Sequence, residues 1–160
     1  MGKLVVFYSL EGNTEYIADK ICEKTGADKL RLVPKKAYKS KGFSKFIWGG
    51  KSAVMAEAPE LEPYSVDLDS AEEVIFGFPV WASTITPPIR TFVNENKDKL
   101  LGKKICVFAC QSGNGAPKAI EKLRELLGID SFAAQAVFID PKVRPSEENE
   151  KILSEFTEKL

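Results

Sequence analysis

At 160 residues, with 44% hydrophobic and 29% charged side chains, the chain is long enough for one packed core and too apolar to stay disordered. Lysine plus arginine and aspartate plus glutamate each number 23, so bulk charge leaves no footprint for nucleic acid. Histidine is absent, which removes Ser-His-Asp and Cys-His nucleophile systems and the commonest ligand of catalytic zinc and iron. Hard chemistry is then expected from a cofactor, with no metal site. The cysteines, Cys22, Cys106 and Cys110, form no CxxC pair and are odd in number, which favours a reducing compartment over a disulfide framework. Leu4–Tyr8 is too short an apolar run for a signal peptide, and with no spanning segment in view the expectation is one domain over residues 1–160, in the cytoplasm and off the membrane.

The elements alternate along the chain. Leu4-Val5-Val6-Phe7-Tyr8 is a continuous apolar run, as a parallel strand covered on both faces requires. Ile17, Ala18, Ile21, Cys22 and Thr25 then share one helical face that stops at Gly26. Lys29–Val33 alternates polar and apolar before Pro34, which suits an edge strand. Residues 34–63 form a long connection, in which Phe43, Phe46, Ile47 and Val54 recur at helical spacing around the break Gly49-Gly50; a short helix, a break and an extended approach through Pro59 and Pro63 are expected. Charge is uneven here, with eight basic residues and no acid from Lys29 to Lys51, then seven acids and no base from Glu57 to Glu73.

Val74–Phe78 and Ile105–Ala109 are two further apolar runs, expected as interior strands. Cys106 and Cys110, roughly 13 Å apart at about 3.3 Å per residue, are too distant to bridge and suit core positions. Thr86 stands where it can cap a helix begun by Pro87-Pro88 and carrying Ile89, Phe92 and Val93. Ile120, Leu123, Leu126 and Leu127 form a stripe ended by Gly128. A fifth strand covers about Ala134–Ile139, and Ser146 with Glu147 and Glu148 opens a last helix burying Ile152, Leu153, Phe156 and Leu160. Five βα units with right-handed crossovers fit an α/β doubly wound parallel sheet of order 2-1-3-4-5, helices on both faces, whose switch point lies between strands one and three.

Three loops at that switch point carry the chemistry. Ser9-Leu10-Glu11-Gly12-Asn13-Thr14 sets hydroxyls and an amide before a helix N-terminus, which leaves backbone N–H groups unpaired and carries partial positive charge, an anion cradle with no lysine or arginine. It is neither a Walker A loop nor a GxGxxG turn. Pro79-Val80-Trp81-Ala82-Ser83-Thr84 offers a tryptophan able to cover a planar ring or to pack on the sheet edge. Cys110-Gln111-Ser112-Gly113-Asn114-Gly115 supplies glycines for close backbone approach and amides to read a heterocycle's edge. Together they describe a site for a phosphate tail and a flat polar-edged ring.

YSLEGNT (8–14), GFPVWASTITPPIRTFV (77–93) and ACQSGNG (109–115) resemble, in order, the phosphate loop and the two ring loops of the flavodoxin family, and the resemblance runs over essentially the whole chain. It implies a flavodoxin-like fold and non-covalent FMN, the phosphate on Ser9, Glu11 (through its backbone), Gly12, Asn13 and Thr14 and the ring between residues 79–84 and 110–115. The segment Gly42–Lys51 resembles an insertion found in some members. Two features depart from the pattern. Glu11 stands where many flavodoxins have Thr, and its charge would repel a phosphate by about 1 kcal/mol at 4 Å in water, so it is expected to face solvent. The chain is also neutral where many flavodoxins are strongly acidic.

The expected function is electron transfer between redox-partner proteins, by a monomer or weak dimer that docks through an exposed ring edge. The alternative on the same fold is a flavin-dependent NAD(P)H oxidoreductase acting on quinones or other small acceptors. A response-regulator-like domain would want acids at the ends of strands one and three, where this chain has Ser9 and Pro79.

Overall fold

The computed structural model describes residues 2–36 and 58–160. In chain order the elements are β1 (Gly2–Phe7), α1 (Asn13–Thr25), β2 (Asp28–Arg31), β3 (Ala71–Pro79), α2 (Pro87–Leu100), β4 (Lys104–Gln111), α3 (Ala116–Leu127), β5 (Ala134–Ile139) and α4 (Glu147–Glu158). The five strands form one parallel sheet of order β2-β1-β3-β4-β5, the flavodoxin-like topology expected from the sequence. In register Phe7 pairs with Arg31 and Gly77, Pro79 with Cys110, and Gln111 with Ile139. All five carboxyl ends therefore come together along one side of the sheet.

Alternation along the strands divides the core into two layers. Val6, Tyr8, Phe76, Phe78 and Val107 face Ile89, Phe92 and Val93 of α2 and Ala119, Ile120 and Leu123 of α3. Val5, Phe7, Ile75, Cys106, Phe108 and Phe138 face Ile17, Ala18 and Ile21 of α1 and Leu153 and Phe156 of α4. Each interior strand is thus apolar on both faces, which is why the sequence shows continuous runs and not alternation. Gly77 is the break in this pattern. A Cβ built there would lie 2.2 Å from Cζ of Phe108, so the Phe108 ring lies over the glycine backbone.

Caps follow the sequence in most places. Gly26 and Gly128 take left-handed conformations (φ +75° and +71°) and return N–H groups to the last turns of α1 and α3, and the Ser146 hydroxyl accepts from Asn149 N at 3.1 Å. Thr86 differs. It holds the N-cap position of α2, but its side chain makes no cap bond and Oγ1 is buried without a hydrogen-bond partner among the described residues. Pro87 and Pro88 have no N–H to give, and the next N–H, of Ile89, goes to the Thr86 carbonyl at 3.1 Å. β2 is also shorter than the Lys29–Val33 expected, although it lies at the sheet edge.

The helix expected around Phe43, Phe46 and Ile47, and the Gly42–Lys51 insertion, lie outside the described residues. The two ends of that connection meet. Pro34 bridges Leu61 antiparallel, Lys35 N donates to Glu60 O at 2.9 Å and Glu62 N to Val33 O at 2.7 Å. Cys106 and Cys110 are buried and Cys22 is half-buried, all three as free thiols. Among the described residues no helix is long and apolar enough to cross a membrane.

Candidate functional site

The loops after β1, β3 and β4 open on one cleft of about 340 Å³ at the carboxyl ends of the strands. Ser9, Leu10, Glu11, Asn13 and Thr14 line it from the first loop, Pro79, Val80, Trp81 and Ala82 from the second, and Cys110, Gln111, Ser112, Gly113 and Asn114 from the third. Gly12, Ser83, Thr84 and Gly115, also expected at the site, are not among the residues that line it.

In the first loop Gly12 takes φ +102° to turn the chain into α1. Ser9 Oγ accepts the N–H groups of Gly12 and Glu15, both at 3.2 Å, and so gathers the donors that a helix start otherwise leaves bare. Thr14 is 1% exposed, and its Oγ1 meets no nitrogen or oxygen partner among the described residues, only the neighbouring Cys110 thiol, a weak hydrogen-bonding group. An unmet buried hydroxyl costs about 1–3 kcal/mol, which an arriving anion would relieve. Asn13 faces both ways: it lines the cleft, yet its Oδ1 accepts from Lys142 N at 2.9 Å and Val143 N at 3.4 Å. Glu11 is exposed, as expected, while still reaching the cleft wall. Arg31, at the end of β2, donates to Glu15 Oε2 at 2.6 Å and to Ser9 O at 3.1 Å, and braces the loop from outside.

The second loop is a tight hairpin. Trp81 and Thr84 exchange backbone hydrogen bonds at 3.4 and 3.0 Å across Ala82 (φ +49°) and Ser83 (φ +57°), two left-handed residues with side chains. A two-residue turn of this kind favours Asn-Gly, so Ala-Ser stores about 1 kcal/mol or more of backbone strain at the cleft wall. Trp81 is half-buried and meets Tyr8 edge-on, ring centroids 5.7 Å apart at 86°. It therefore packs on the end of the sheet and lines the cleft at once.

The third loop repeats the device of the first. Gly115 takes φ +102° ahead of α3, and Gln111 Oε1 accepts Ala116 N at 3.0 Å as Ser9 accepts for α1. A Cβ at Gly115 would lie 2.7 Å from Ser83 Oγ, so the two ring loops touch there. Burial pushes the Cys110 thiol up to about 12, the contact with the Thr14 hydroxyl acting the other way. It is a neutral wall of the cleft at pH 7, not a nucleophile.

Asp140 was not among the residues the sequence pointed to. It lines the cleft at 7% exposure, with φ +40°, and accepts from Ser112 Oγ at 2.8 Å and Arg144 Nε at 3.0 Å. Its own N–H continues the β4–β5 ladder to Gln111 O at 3.1 Å. The signal was available: in the order 2-1-3-4-5 the loop after β5 must lie beside the loop after β4. The three loops and Asp140 thus offer backbone and hydroxyl donors for an anion at one end, and an indole with amides and a carboxylate at the other.

The family Flavodoxin (Flavodoxin_4) matches the sequence over residues 2–159. No functionally curated protein matches it. Among solved structures the chain is similar to a flavoprotein in complex with FMN from Lactobacillus acidophilus NCFM, at 18% identity and TM-score 0.71, over 89% of this chain and 95% of that one. It is similar to oxidised Flavodoxin 2 from Bacillus cereus, at 17% identity and TM-score 0.60, over 99% and 97% of the two chains. It also resembles the Trp repressor binding protein from Bacillus subtilis, at 17% identity and TM-score 0.60, over 100% and 99%. At these identities the structural likeness speaks for the fold alone, and the near-complete family match carries the assignment. The chain belongs to the flavodoxin family.

Proposed function

We propose that the chain binds FMN without covalent linkage and carries electrons one at a time between redox-partner proteins. The observation that supports this most directly is the buried Thr14 hydroxyl, which has no nitrogen or oxygen partner among the described residues, on the same loop as two N–H groups that donate to Ser9 Oγ, in the same cleft as Trp81 and the Gln111–Asn114 loop. That donor set fits a phosphate ester and the opposite wall fits a flat heterocycle. Bound there, FMN would supply reversible redox chemistry that none of the side chains has.

The residues have separate tasks. Ser9, Thr14 and the N–H groups of Gly12 and Glu15 hold the phosphate; Trp81 and Pro79 exclude water from the ring; Gln111 to Asn114 meet its polar edge. Asp140 fixes Ser112 and so the shape of the third loop. A neutral chain with a basic stretch from Lys29 to Lys51 favours partners less basic than those of the acidic members of the family.

The purified protein is expected to be yellow and to release FMN, not FAD, on denaturation. Reductive titration of the complex should proceed in two resolved one-electron steps. A single two-electron conversion, together with rapid reduction by NADPH or NADH in stopped flow, would replace the carrier with an NAD(P)H oxidoreductase. A colourless protein that FMN does not reconstitute would overturn the cofactor assignment itself.

A further inference from the structure

The first loop contains no cation, yet the turn after β5 brings one to it. Lys142 N and Val143 N both donate to Asn13 Oδ1, at 2.9 and 3.4 Å, and this seats the turn on the first residue of α1. Arg144 holds the turn from its other side, pairing with Asp140 and donating its N–H to Asp140 O at 2.7 Å. The Lys142 side chain then runs across Gly12: a Cβ at Gly12 would meet Nζ at 2.9 Å and Cδ at 3.2 Å. Adding a carbon–carbon bond of about 1.5 Å puts the ammonium within about 4.5 Å of Gly12 Cα.

That ammonium makes no ion pair among the described residues, whereas Arg31 is taken up by Glu15 and the Ser9 carbonyl, and Arg144 by Asp140. The position is therefore a positive charge in reserve, clamped through its backbone, at the N-terminus of α1 and next to an N–H of the anion cradle. Gly12 serves two ends here. Its φ of +102° turns the chain, and its bare Cα leaves the space that the lysine stem fills.

We propose that Lys142 is the specificity residue that makes this site prefer a phosphorylated flavin over an unphosphorylated one; the proposal rests on the FMN reading above. The ammonium adds attraction that riboflavin, which lacks the phosphate, cannot feel. A phosphate dianion seen across partly wet protein gives an effect of about tenfold in affinity, falling as salt screens it.

The test compares Lys142→Gln and Lys142→Arg with the unaltered protein, reading FMN and riboflavin binding by quenching of flavin fluorescence at low and high salt. Thermal stability of the apoprotein is read in parallel with inorganic phosphate added. Lys142→Gln should bind FMN about tenfold more weakly, leave riboflavin within about twofold and lose the phosphate-induced rise in Tm, and Lys142→Arg should restore all three. Equal weakening of FMN and riboflavin would make Lys142 a mere brace for the turn and overturn the proposal. Unchanged FMN binding in Lys142→Gln would overturn it while leaving the cofactor assignment standing. An unaltered protein that binds neither flavin would remove the cofactor assignment and this proposal with it.

Discussion

Replacing Gly77 with alanine should destabilise the protein through a single contact. In an ordinary strand interior Gly→Ala gains about 0.5–1 kcal/mol, because the unfolded chain loses freedom. Here the new Cβ would stand 2.2 Å from Phe108 Cζ and 2.6 and 2.7 Å from its two Cε atoms. Ordinary contact begins near 3.4 Å, so the ring must retreat by about 1.2 Å. It has nowhere to go: Phe108 is fully buried, with Phe138 and Phe156 edge-on to it at 6.3 Å each. Overpacking of this kind costs about 3 kcal/mol, a fall of roughly 6–12 °C in Tm at this chain length. Thermal denaturation of Gly77→Ala, Phe108→Leu and the double variant checks the cause, since the smaller residue should return at least about 1.5 kcal/mol of coupling energy in the cycle. A Gly77→Ala protein as stable as the parent, or a double variant whose losses simply add, would show that the ring does not close this space. Because Pro79 follows two residues later, the same substitution should also loosen the wall that carries Trp81.

Thr14→Val removes the unmet hydroxyl while keeping the shape. The apoprotein should gain about 1 kcal/mol in chemical denaturation while FMN affinity falls about tenfold, and a loss on both sides would mean that the hydroxyl already has a partner. Cys106 and Cys110 are both pushed up to about 12 by burial, against 9.0 for an ordinary thiol. The fold holds these protons more tightly than the unfolded chain does, so their contribution is intact below pH 9 and is lost as pH rises towards 12. Tm should therefore decline above pH 9, less steeply in Cys110→Ala, and a thiol reagent at neutral pH should modify Cys22 well before the other two. Ala82→Asn with Ser83→Gly places preferred residues in a turn whose φ values are +49° and +57°. A gain of about 1 kcal/mol is expected by thermal denaturation, and a loss would mean that the turn is unstrained.

The fold was legible because the chain states it twice, in continuous apolar runs for the interior strands and in glycines at φ +75° and +71° where α1 and α3 end. The site was legible as far as it lay in loops that follow strands directly. Gly12 and Gly115 were visible as loop glycines, but their matching φ of +102° follows from how Ser9 and Gln111 cap the next helix, a three-dimensional relation. Asp140 and Lys142 were hidden for a related reason. Asp140 meets Ser112 from 28 residues away and Lys142 meets Asn13 from 129, and although the strand order sets these loops side by side, no local pattern names the residues. Thr86 misled because the cap rule counts the hydroxyl and not the donors, and two prolines had removed them.

The clasp between Val33–Lys35 and Glu60–Glu62 brings the two flanks of residues 37–57 to nearly one point, just beyond the carboxyl end of β2. Both anchor points lie at the same end of the sheet as the cleft. Because each doubling of a closed loop costs only about 0.6 kcal/mol, the clasp lets the fold tolerate a change in the length of the connection.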